Sequence, residues 1–163
     1  MVCSGKEEEK TDYEVYTVND QFYGTLANAS GYYRGKKDHV DIYVPEKSQE
    51  LVVTYVQEQR RTATVFERDK AASANPYDVF FGGNHGLMQL DTAQSGKRLL
   101  VIKDSYANCF LPFLIPYYKS ITVVDPRYYY DDLDKLIEEQ GIQEILFLYN
   151  ANTFSVMIPS MRY

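Results

Sequence analysis

One short string gathers residue types that could do chemistry. The apolar run Leu99-Leu100-Val101-Ile102 leads into Lys103-Asp104-Ser105-Tyr106-Ala107-Asn108, followed by a segment holding Pro112 and Pro116. A buried strand thus ends on an acid and a hydroxyl and turns at once into what reads as a helix. Two chemistries fit. Asp104 or Ser105 can be an N-cap, because both residue types accept a hydrogen bond from the first helical turn. Alternatively, Ser105 is a nucleophile displayed at a strand end. That reading requires a base for the hydroxyl proton, a group to orient the base, and donors for an oxyanion. Backbone amides at a helix N-terminus could supply the donors, with help from the helix dipole.

The elements around this string give it a place. "RLLVIK", "SITVVD" and "EILFLYN" are continuous apolar runs, as expected of strands buried on both faces of a parallel sheet. Between the last two, "YYDDLDKLIEEQG" has Leu133, Leu136 and Ile137 at helical spacing, Asp131 and Asp132 in the first turn, and Gly141 at the exit. This alternation predicts a parallel α/β unit with right-handed crossovers and helices on both faces. Sites in such sheets form beyond the carboxyl ends of the strands. Ser105, Asp125 and Asn150 all fall on that rim. Upstream of a turn at Ser95-Gly96 the pattern is β-rich, with strands expected in "DQFYGTL", "VDIYV", "ELVVTYV" and "TATVFE" and a short helical turn within 71–78. Residues 1–12 read as a solvated, disordered tail and 13–163 as one α/β domain.

Composition narrows the function classes. The chain has 163 residues and a net charge of -6, and its only basic clusters are Lys36-Lys37 and Arg60-Arg61, so nucleic acid is not an expected partner. Cys3 and Cys109 match neither a disulfide framework nor a zinc spacing. Gly82-Gly83 lacks the following Gly-Lys-Ser/Thr of a phosphate loop. No cofactor or metal is expected, no apolar run reaches the length of a membrane span, and "MVCSGKEEEK", which has no apolar h-region, is not expected to act as a secretory signal. The oligomeric state stays open. Tyrosine is the outlier, with 16 copies against no tryptophan; such amphipathic surface suits sugar or protein binding but also plain packing.

"KRLLVIKDSYANCFLPFLIPYYKSITVVDPRYY", with "FFGGNHGLMQLDT" upstream and "EILFLYNANTF" downstream, resembles the DHHW family over about residues 15–155. These are bacterial, mostly Firmicute, surface-associated proteins related to SGNH hydrolases and to alginate O-acetyltransferase-like enzymes. The resemblance implies a three-layer, SGNH- or flavodoxin-like, partly parallel sheet flanked by helices, with a β-rich N-terminal half. It also implies that Ser105 is the nucleophile and Asn84, in "GGN", an oxyanion-hole donor. The implied activity is that of an esterase or O-acyltransferase on a cell-surface polysaccharide, outside the cytoplasm. Asp104, Asn108 and Arg127 are the candidate substrate-binding residues, although Arg127 could instead pair with Asp125 or Asp104.

The departure from the family is as informative. Its namesake Asp-His-His-Trp string, which resembles the Asp-x-His pair that activates serine in the acetyltransferase relatives, is absent from these 163 residues. The two histidines are His39, in "KKDHVDIY", and His85, in "GGNHG". His85 is the candidate base, because it neighbours Asn84 and histidine is the usual partner of serine. The expectation is the C-terminal portion of a DHHW-type protein, folded but impaired as an enzyme. A non-catalytic glycan- or protein-binding surface module is the alternative.

Overall fold

The three continuous apolar runs form adjacent parallel strands, as their composition predicts. The computed structural model describes residues 11–24, 27, 30–47 and 50–151; most of the expected tail lies outside them. Strands β1 (Tyr13–Phe22) and β2 (Asp38–Pro45) make an antiparallel ribbon. Six more strands form one sheet in the order β4-β3-β5-β7-β6-β8: β3 (Leu51–Tyr55), β4 (Arg60–Thr62), β5 (Leu87–Thr92), β6 (Arg98–Lys103), β7 (Ser120–Val124) and β8 (Glu144–Leu148). β6 pairs in parallel with β7 on one side and β8 on the other.

The sheet is mixed, not parallel throughout. β5 runs antiparallel to β7, and β3 to β5, so the N-terminal strands extend the same sheet. The turn at Ser95-Gly96 therefore divides two stretches of one sheet. The expected strand over 62–67 shrinks to β4 plus a single bridge between Phe66 and Phe80. Short 3-10 helices at Arg68–Ala72 and Pro76–Val79 stand where a helical turn was expected.

Side chains alternate between two apolar layers. Leu99 and Val101 of β6, with Ile121 and Val123 of β7, join Val53, Tyr55, Met88 and Leu90 on one face. Leu100, Ile102 and Val124 face the other way, against helix α1 (Leu133–Gln140) through Leu136. Helix α1 starts because the Asp132 carboxylate accepts from the Lys135 amide (3.1 Å), and ends because Gly141 adopts φ +59°. The opposite layer is closed by a 3-10 helix at Leu111–Tyr117 that buries Leu111 and Ile115. It follows another at Ser105–Cys109. No α-helix forms there: Pro112 and Pro116 lack the amide protons that helical hydrogen bonds need.

Candidate active site

Ser105 opens the short 3-10 helix directly beyond the carboxyl end of β6, half-buried. Asp104 is its cap. One carboxylate oxygen accepts from the Tyr106 amide (2.9 Å) and the other from the Asn150 amide at the end of β8 (3.0 Å). Both oxygens are spent and the residue is 2% exposed, so Asp104 builds the rim and does not present itself to a ligand. The helix-dipole expectation needs correction as well. A five-residue 3-10 turn has little dipole, and its Tyr106 amide is already bonded to Asp104.

A second support comes from a residue that the sequence reading passed over. Tyr77 shares its hydroxyl proton between the carbonyl oxygens of Ser105 (3.0 Å) and Tyr106 (3.2 Å), and its oxygen accepts from the Cys109 amide (3.2 Å). Burial raises the Tyr77 pKa, so the phenol remains a donor. Nothing in "NPYDVF" signals that role, since the partners lie 28 and 29 residues away.

Asn84 sits on the facing loop, which runs from Phe81 to Gly86. Phe81, Gly82 and Gly83 all have positive φ (+62°, +80° and +123°). Phe81 tolerates this because its side chain is fully buried in the core. The Asn84 oxygen accepts from the Asn108 amide nitrogen (3.3 Å) and from Lys103 Nζ (3.4 Å). Lysine carries donors only, so the amide must turn its oxygen inward and leave Nδ2 for the outer side. Asn108 is 1% exposed and also donates to the Gly83 carbonyl (3.2 Å), which makes it a brace for the loop. Ser105, Asn84 and Asn108 line one cleft of about 520 Å³ with Phe22, Tyr23, Gly24, Asn75, Tyr77, Asp78, Tyr106 and Cys109. Partial burial raises the Asp78 pKa there.

Beneath the rim lies a buried charge cluster. Arg127 grips Asp125 with two hydrogen bonds (Nε–Oδ1 2.9 Å, Nη2–Oδ2 2.6 Å), so the pairing alternative for Arg127 is the one seen. Arg127 is not among the residues of the cleft. Lys103 approaches Asp125 at 3.6 Å, and both are fully buried. Burial, with Arg127 in the same direction and Asp125 opposing, brings the Lys103 pKa from its ordinary 10.5 to about 8.

The structure does not bring either histidine to Ser105. His85 packs edge-on against Tyr55, with Nδ1 2.7 Å from Glu58 and Nε2 3.0 Å from the Phe81 carbonyl. Both ring nitrogens face acceptors in its own loop and strand region, and His85 is not part of the cleft lining. His39 lies on β2, 3.1 Å from Asp41.

The site is thus a capped serine at the carboxyl rim of a mixed α/β sheet, with an asparagine on the same cleft. Among solved structures, the chain is similar to a DHHW family protein from Eubacterium siraeum, at 28% identity and TM-score 0.71, over 84% of this chain and 47% of that one. The DHHW resemblance read from the sequence thus holds in three dimensions. Bacillus cereus PatB1 is similar in fold, in a structure with a sulfonyl adduct (22% identity, TM-score 0.66, 90% of this chain and 50% of that one) and in a second structure (21%, 0.62, 90% and 51%). The chain spans about half the length of these proteins. No family model and no curated protein matches the sequence.

Proposed function

We propose that the cleft is a serine acyl-transfer site, part of an SGNH-like esterase or O-acyltransferase of the three-layer type that acts on cell-surface polysaccharide outside the cytoplasm. One observation carries the reading: Ser105 and Asn84 line the same cleft, and the Asn84 oxygen is turned inward by donors. In the reaction, the Ser105 oxygen bonds to an ester carbonyl carbon while its proton passes to a base. The carbonyl oxygen becomes an oxyanion that accepts from Asn84 Nδ2. The carbon–oxygen bond to the leaving alcohol then breaks, and the base returns the proton to that alcohol. Water or a glycan hydroxyl reverses the sequence and frees Ser105.

Among the described residues, neither histidine stands beside Ser105 as a base. An unassisted serine hydroxyl is almost wholly protonated at neutral pH and reacts slowly. The chain alone is therefore expected to show little Ser105-dependent turnover of a small activated acetyl ester. Added imidazole, a diffusible base that fits a cleft of about 520 Å³, should restore turnover, and Ser105→Ala should abolish the restored part. A phenyl sulfonyl fluoride should label Ser105 under the same conditions. No rescue and no labelling at any imidazole concentration would overturn the proposal. The aromatic walls of Phe22, Tyr23, Tyr77 and Tyr106 favour a second reading, a glycan-binding module, which oligosaccharide binding by the unreactive protein would support.

A further inference from the structure

Lys103 poses a problem that the proposed chemistry does not use. A fully buried ammonium is costly unless it is paired and hydrogen-bonded. Its nearest carboxylate, Asp125, is already held through both oxygens by Arg127, and Lys103 stands back from it at 3.6 Å. The charged groups around it are Asp125 and Arg127 beyond β7 and Asp104 beside it in the chain. Lys103 thus shares Asp125 with Arg127 and is not its sole counter-ion. Its other polar partner is the Asn84 carboxamide oxygen.

We infer that Lys103 is a positioning residue for the cleft, holding the Asn84 oxygen inward so that the Nδ2 amino group faces Ser105's substrate. The inference rests on the acyl-transfer reading for its purpose, though not for its geometry. Lys103 comes from the last position of β6, one of the most enclosed strands of the sheet, so its long side chain has little freedom to wander. Asn108 supplies the second inward donor, and its own orientation is fixed by the Gly83 carbonyl. An exposed asparagine on a loop would otherwise sample both amide orientations, and one of them offers an oxygen to an oxyanion. A cation on Oδ1 also draws electron density from the amide nitrogen, which strengthens Nδ2–H as a donor. Acid and hydroxyl at the strand end thus act on one wall of the cleft, while the lysine beside them in sequence acts on the other.

The test reads the Asn84 carboxamide directly. In protein labelled with carbon-13 and nitrogen-15, its side-chain carbon and nitrogen signals, assigned by their loss in Asn84→Asp, should titrate with a midpoint of about 8 as Lys103 loses its proton. In Lys103→Met, which keeps Asp125 paired with Arg127, that titration should disappear. Imidazole-assisted sulfonylation of Ser105 should then slow by about tenfold, as expected when an oxyanion donor is misaligned and not deleted. Saturation by the ester should stay unchanged. Asn84 signals flat from pH 6.5 to past the ordinary lysine value of 10.5 in the unaltered protein would overturn the inference, even if Lys103→Met failed to fold. A titrating Asn84 beside an unreactive Ser105 would keep the Lys103–Asn84 link and remove the acyl-transfer reading. Unchanged sulfonylation in a folded Lys103→Met would remove the positioning role.

Discussion

The two walls of the cleft are built by opposite means. The Ser105 wall is a short turn clamped by polar side chains, Asp104 from within and Tyr77 from the 3-10 helix Pro76–Val79. The Asn84 wall takes its path from its own backbone, through three consecutive positive φ angles and the close approach of Gly86 to Tyr128, and Asn108 and Lys103 only fasten what that path presents. The first wall should fail when a polar atom is removed with little change in volume. The second should fail when a single carbon is added. This difference also separates two kinds of sequence signal, because capping residues can be read locally whereas a loop held by distant backbone cannot.

The largest expected effect falls on the backbone wall. A Cβ on Gly86 would stand 2.5 Å from the Tyr128 carbonyl oxygen and 2.6 Å from Gln57 Nε2. The glutamine can swing away, but the carbonyl cannot without moving the segment that follows Asp125. The Gly86 carbonyl also accepts from the Asp125 amide (3.1 Å), so the strain reaches the buried charge cluster. Gly86→Ala should destabilise by about 3 kcal/mol, read as a Tm fall on the order of 10 °C. A change within about 0.5 kcal/mol, the range of a neutral surface substitution, would break the contrast between the walls.

Tyr77→Phe probes the other wall. It removes one oxygen and leaves two carbonyls and an amide without their partner. The expected loss is about 2 kcal/mol, with the ring packing retained. Amide exchange at Cys109 should quicken well beyond exchange in the β6 strand, because the hydroxyl supports only the turn. Equal protection in both proteins would mean that Asp104 alone holds the turn.

How far the sequence was legible follows the same division. β6, β7 and β8 read directly, because runs such as Leu99–Ile102 are apolar at every position only when both faces are buried. Helix α1 read directly too, through Asp132 and Gly141. β5 did not read as a strand, since Gln89 and Asp91 interrupt its apolar residues and its antiparallel place beside β7 rests on pairing between distant segments. Asp104 and Ser105 could be assigned to a strand end, but not to cap or ligand, because a cap differs from a free carboxylate only by contacts such as the Asn150 amide 46 residues on. Lys103 reads in the sequence only as the polar end of an apolar run, and its tie to Asn84 exists only once β6 and the Phe81–Gly86 loop meet.

The smallest expected effect asks what His85 does for the Asn84 wall. Partial burial works to raise the Glu58 pKa. The hydrogen bond from His85, a backbone hydrogen bond and the charges of His85 and Arg60 outweigh it, so the value falls below the ordinary 4.5. A carboxylate with a lowered pKa in the folded state adds stability that is present above 4.5 and is lost as pH falls through the lower folded value. Glu58→Gln should therefore cost under about 1 kcal/mol at pH 7, discounted for its exposure to solvent, and should flatten the loss of stability below pH 4.5. If His85 only ties its loop to the sheet, Ser105 labelling in imidazole should be the same in Glu58→Gln as in the parent. A fall in labelling that tracks the substitution would show instead that the His85 tie sets the position of Asn84, and would add it to the Lys103 and Asn108 side chains that hold the second wall.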